Sequence, residues 1–163
     1  MPAPGPPDSA AFSRLVFELT LLSRHFPASV LRRPGFQLDR SAYLLLTRLE
    51  IDAPLSLREL SEAFQLDIST INRQVGAMLK QGLVERVADP DGGVARKIRA
   101  SAKGLELVAA DRTQSHEGIG AVVAEWSPDD VAQLSRLVAR FNESIEQKEQ
   151  NPWPRPPEPP PSP

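Results

Sequence analysis

Between Ser56 and Arg99 the sequence signals two short helices, a break and a hairpin, in that order, and few folds accommodate such a run. Ser56 stands three residues before Glu59, next to apolar Leu57 and Leu60. At that spacing each side chain can bond the other's backbone N–H, so a capping box should open a helix running to about Phe64. Gln65 and Leu66 are left for a turn. Asp67 is placed to cap a second helix, in which Ile68, Ile71, Val75, Met78 and Leu79 recur at helical steps. The opposite face is left to Ser69, Arg73 and Ala77, flanked by Thr70 and Gln74. Gly82 supplies the left-handed residue that ends such a helix. Leu83 to Val87 and Val94 to Arg99 are strand-like runs joined by Asp89-Pro90-Asp91-Gly92-Gly93, a turn signal, and together they predict a hairpin.

The flanks are helical too. Asp8 or Ser9 can cap a helix with Phe12, Leu15, Val16, Leu19, Leu22 and Phe26 at three- and four-residue steps, ending before Pro27. After Pro34-Gly35, Asp39 caps a segment from Ser41 to Ile51. Ser101 opens a helix expected to continue through Val108, Ile119, Val122 and Trp126, with a polar, wetter middle at Arg112 and Ser115. Ser127-Pro128-Asp129-Asp130 combines an N-cap, proline at the first helical position and two acids near the positive end of the helix dipole. The helix it starts carries Val131, Leu134, Val138, Phe141 and Ile145, a narrow seam suited to packing on another helix. The two ends are proline-rich and cannot be helix or inner strand. The expected division is therefore a disordered tail over 1–7, one domain over 8–148 and a proline-rich solvated tail over 149–163. Within the domain, 55–100 forms a small lobe, and 8–26 with 101–148 forms helical arms too apolar for that lobe to cover.

Composition narrows the function. The chain of 163 residues has no cysteine, which removes disulfides, thiolate metal sites and cysteine nucleophiles. His25 and His116 are its two histidines, and His116-Glu117 lacks a second ligand at helical spacing, so no metal site is expected. Neither a serine elbow nor a glycine-rich phosphate loop occurs, which leaves an enzyme without support and no cofactor implied. No apolar run is long enough to span a membrane and the start lacks the features of a signal peptide, so a cytoplasmic protein is expected. The net charge of −2 hides an asymmetry. From Ile68 to Gly104 seven basic residues face three acidic ones, a net +4, whereas Leu105 to Gln150 carries a net −5.

Helix, turn, helix and hairpin in this order, on the basic part of the chain, make a winged helix-turn-helix unit in a mainly α fold with a small β-hairpin wing. A major groove about 12 Å wide admits one helix whose short polar side chains can reach base edges. Ser69, Thr70 and Arg73 meet that need, with Asn72 and Gln74 alongside, and Arg73 suits a two-pronged contact to guanine. On the hairpin Arg96, Lys97 and Arg99 are candidates for the DNA backbone or the minor groove, though solvated surface residues look the same in sequence.

The run from Leu57 to Arg73, then Leu79-Lys80-Gln81-Gly82-Leu83-Val84-Glu85-Arg86, then Asp89-Pro90 leading to Ser101-Ala102-Lys103-Gly104, resembles the MarR family of bacterial regulators, over about residues 10 to 146. The resemblance implies a homodimer joined through the first and last two helices and binding a palindromic double-stranded operator. It also implies a small-molecule effector, usually relieving repression, held between the dimer helices and the lobe. Tyr43, Arg112, His25 and His116 are the candidate pocket residues. One departure stands out: where the family carries Asp and Arg on the wing, this chain has Gly92 and Val94, and Arg96, two residues on along an ideal strand, is the available substitute. That departure keeps open a second reading, an interaction module that has lost sequence-specific DNA binding.

Overall fold

A computed structural model describes residues 9–25, 35–52 and 54–156 of the chain. The Asp8 cap, Phe26, the Pro27 stop, Pro34 and the runs 1–7 and 157–163 lie outside the described residues. The elements are α1 (Ser9–His25), α2 (Arg40–Ile51), α3 (Leu57–Phe64), α4 (Ile68–Gln81), β1 (Val84–Val87), β2 (Lys97–Ala100), α5 (Ala102–Val122) and α6 (Pro128–Glu149).

Local chemistry places most of the boundaries. Asp39 accepts the Ala42 N–H at 2.9 Å and starts α2. The capping box at α3 closes both ways: Ser56 Oγ accepts the Glu59 N–H at 3.2 Å, and Glu59 Oε2 accepts the Ser56 N–H at 2.7 Å. Gln65 ends α3 in the left-handed region at φ 51°. Gly82 at φ 70° ends α4, where its own N–H and that of Leu83 return to Leu79 and Met78 carbonyls. Asp67 departs from expectation, since its side chain makes no capping bond to α4.

The hairpin is shorter than its sequence suggests. Val84 pairs with Ala100 and Val87 with Lys97, antiparallel, and there the ladder stops. Val94 and Arg96 thus sit in the loop between the strands, and the strand alternation expected to put them on one side does not operate. An Asx turn, with the Asp91 N–H on Asp89 Oδ1 at 3.1 Å, and Gly92 at φ 81° bend the chain there. A further backbone bridge joins Leu55, just before α3, to Ile98 of β2.

The core joins the 55–100 lobe to α2 and the first half of α5. Leu45, Leu46 and Leu49 of α2 meet Leu60 of α3, Ile71, Val75 and Met78 of α4, Leu83, Val84 and Ile98 of the hairpin region and Val108 of α5, all buried. At Gly104 a Cβ would run into the Leu83 carbonyl oxygen and the Leu46 side chain, so glycine is what lets the first turn of α5 close on the lobe. Ile68 does not join this core: it is 54% exposed, and Leu66 beside it is also exposed. The polar middle expected in α5 is present, with Arg112 exposed and Ser115 half-buried, and next to it stands a buried carboxylate. Asp111 is 1% exposed and accepts the backbone N–H groups of Gln37 at 2.8 Å and Leu38 at 3.0 Å, fixing the approach to α2. α5 ends at Val122, and a turn in which the Trp126 N–H bonds the Val123 carbonyl leads to the Ser127 cap of α6, so Trp126 is not helical.

α6 buries none of its residues, and α1 leaves Phe12, Leu15, Val16, Phe17 and Leu22 exposed. Beyond α6 the chain departs from a solvated tail. Asn151 donates to the Ala63 carbonyl at 3.0 Å, and the Trp153 ring meets Phe64 edge-on at 5.1 Å. The Arg48 guanidinium lies 5.1 Å from that ring's centre, and Arg155 pairs with Glu146 at 2.7 Å. Pro152 and Pro154 hold φ fixed in advance, which lowers the entropy lost when Trp153 docks.

Candidate nucleic-acid interface

The buried stripe Ile71, Val75 and Met78 turns the other side of α4 outward. Ser69, Asn72 and Arg73 are exposed on that side and, three and four positions apart, form one polar surface near the N-terminus of the helix. Thr70 and Gln74 are half-buried at its margin. Arg73, Lys80, Arg86 and Arg96 are exposed and form no ion pair among the described residues.

The other basic groups of this region are engaged within the protein. Arg99 donates through Nε and Nη2 to Glu85 Oε1, at 3.0 and 2.7 Å, across the register pair that faces them. Lys103 Nζ donates to the Gln81 carbonyl at 2.8 Å, where the negative end of the α4 dipole gathers. Lys97 is the deepest: its side chain is 14% exposed, and Nζ lies 3.5 Å from Asp89, 3.7 Å from Glu59 and 3.9 Å from Asp91. Desolvation pulls this ammonium down, but attraction to Asp89, Glu59 and Asp91 outweighs it and holds the lysine above its ordinary range. Glu59 is held below the ordinary carboxylate range, chiefly by the Ser56 N–H and hydroxyl, against desolvation and with help from Lys97. The expectation of a free phosphate contact at Lys97 therefore does not match where the side chain sits. The wing keeps Arg86, on β1, and Arg96, in the loop, as exposed cations without an ion pair among the described residues, and Val94 near Arg96 is fully exposed.

Of the expected pocket residues the structure brings two together. Arg112 reaches Glu50 at 2.6 Å, and this bond, against desolvation and with Tyr43 adding to it, raises the guanidinium further. His116 is exposed one turn beyond Arg112, and His25 is exposed at the end of α1. No hydrogen bond or ion pair joins either histidine to that group among the described residues. Nor do the described residues hold a cluster of three side chains fit for a metal ion, or a helix long and apolar enough to cross a membrane.

Sequence reading missed Asp111 and Trp153. Asp111 stands three residues after Val108, an acid at core spacing, and Trp153 is the one aromatic residue in a proline run; either oddity is a usable signal.

The model of the MarR family matches residues 36–93. An uncharacterized HTH-type transcriptional regulator, YxaD of Bacillus subtilis (strain 168), is 35% identical over 114 residues, covering 70% of this chain and 79% of that protein. The chain belongs to the MarR family. A MarR family protein from Bacillus stearothermophilus has a similar structure, with a TM-score of 0.66 at 25% identity over 82% of this chain and 96% of that one. The PcaV transcriptional regulator from Streptomyces coelicolor, solved with its natural ligand, shares the fold with a TM-score of 0.57 at 21% identity, covering 90% of this chain and 100% of that one. This MarR family member is thus a DNA-binding transcriptional regulator with a winged-helix fold, mostly helical with a two-stranded antiparallel wing.

Proposed function

We propose that the protein is a cytoplasmic homodimer that represses transcription from a palindromic operator and is released by a small-molecule effector. The observation that carries the reading is the exposed Ser69, Asn72 and Arg73 surface of α4, backed by a complete core, which leaves these side chains no structural task. Set in the major groove, Arg73 would read guanine through O6 and N7, with Ser69, Thr70, Asn72 and Gln74 as neighbours. Arg96 would serve the wing, and Arg99 would help only where phosphate competes with Glu85. Two-fold pairing is supported by the apolar faces of α1 and α6, on which Phe12, Phe17, Leu137 and Phe141 are exposed. An effector would be met by Tyr43 and Arg112 between α2 and α5, with His25 and His116 as remoter candidates.

A mobility-shift assay with the promoter next to the protein's own gene tests this, with Arg73→Ala beside the wild type. Sequence preference should fall by about 10- to 100-fold in the variant, the scale of one bidentate base contact. Equal affinity of both proteins for operator and unrelated duplex would remove α4 as the reading element. Gly92 and Val94 on the wing favour the second reading, an interaction module. Absence of any shift at low salt would establish it.

A further inference from the structure

We propose that Lys97 is a positioning residue that locks the wing onto the start of α3, so that Arg96 is presented to DNA at a fixed place. The part concerning Arg96 rests on the DNA-binding reading above; the lock itself does not.

Three carboxylates converge on the Lys97 ammonium: Glu59 from α3, and Asp89 and Asp91 from the wing turn. Without the lysine these like charges would repel each other and drive the turn away from α3. With it, each end of the loop is tied to the same point. The anchor is rigid because Glu59 uses its other oxygen in the capping box, where Oε2 accepts the Ser56 N–H at 2.7 Å. One residue further along, Ile98 and Leu55 exchange both backbone hydrogen bonds, at 2.6 and 3.0 Å. β2 is therefore held to the entry of α3 by a backbone bridge and a charged one in succession. Arg96 precedes Lys97 directly, and adjacent Cα atoms stand about 3.8 Å apart, so fixing Lys97 leaves Arg96 little room to wander. The ladder ends at Val87 and Lys97, and without this bridge the loop from Ala88 to Arg96 would hang on two strand ends.

This assignment and a phosphate contact by Lys97 make opposite predictions for one variant. Asp89→Asn removes a negative charge from the wing turn and leaves the ammonium with Glu59 and Asp91, loosening its hold. If Lys97 binds phosphate, the variant should bind operator more tightly; if Lys97 is a lock, it should bind more weakly. We expect Asp89→Asn and Lys97→Met each to raise hydrogen–deuterium exchange in residues 88–96 about tenfold, the scale of a coupling between charges in contact. Each should also weaken operator binding, while in an Arg96→Ala background Lys97→Met should add no further loss. Unchanged exchange in both variants, or tighter binding by Asp89→Asn, overturns the lock. Should the full-length protein bind no duplex at all, the DNA-binding reading fails while the exchange arm still decides the lock. Glu59→Gln gives a second variant from the α3 side: it is uncharged, retains oxygen for the Ser56 N–H, and should show the same rise in exchange.

Discussion

Replacing Trp153 with alanine should weaken the fold by about 2–3 kcal/mol, although the residue lies in what reads as a proline-rich tail. Trp153 is half-buried, so about 100 Å² of apolar surface returns to water, which at roughly 25 cal/mol per Å² costs about 2.5 kcal/mol. Loss of the edge contact to Phe64 and of the Arg48 guanidinium over the ring adds about 1 kcal/mol. Freedom regained by the released segment returns part of this, because Asn151 to Arg155 need no longer be ordered. Arg48 returns a further part, since its buried Nε and Nη1 have no hydrogen-bond partner under the ring and would gain water once it is removed. The expected shift in melting temperature is roughly 5–10 °C for a chain of this size. Differential scanning calorimetry of wild type and Trp153→Ala at equal protein concentration measures it, with hydrogen exchange at the end of α3 reporting whether the contact site loosens. A melting temperature within 1 °C and unchanged exchange near Ala63 and Phe64 would refute the idea that this segment straps α6 to the lobe.

Asp111→Ala should destabilise the protein by about 3 kcal/mol in urea unfolding, because it leaves the Gln37 and Leu38 N–H groups without their acceptor beside a closed core. Phe141→Asp places a charge in the exposed apolar face of α6 and should turn the expected dimer into monomer by light scattering, with helix content kept, since no lobe contact depends on it. Glu146 sits below the ordinary carboxylate range, first through its bond from Arg155 and then through the Trp153 N–H, with desolvation opposing. Its ionised form therefore favours the docked strap: the contribution is complete above the ordinary glutamate range and is lost as pH falls through the lowered folded value. In a Trp126→Phe background, Trp153 fluorescence should shift toward that of a solvated indole over that acid window, and Glu146→Gln should abolish the transition.

Most helix boundaries were legible in sequence because their signals act within one turn of chain. The Ser56 and Glu59 box, Gly82, Ser101 and the Ser127-Pro128 start each bond to backbone three or four residues away, so spacing alone determines them. The outward surface of α4 followed for the same reason, since helical period fixes which side chains share a face.

Longer reach was decided by the tertiary structure. Asp111 finds its partner amides 74 and 73 residues away, and Asn151 its carbonyl 88 residues away, distances over which no local pattern speaks. The seven basic residues of the Ile68 to Gly104 region looked equivalent as letters, yet folding brought carboxylates to Lys97 and Arg99 and a helix-end carbonyl to Lys103, and left Arg73, Lys80, Arg86 and Arg96 exposed. Sequence thus set which residues carry charge; only packing, by choosing what stands within a few ångströms of each, set which charges remain for a partner.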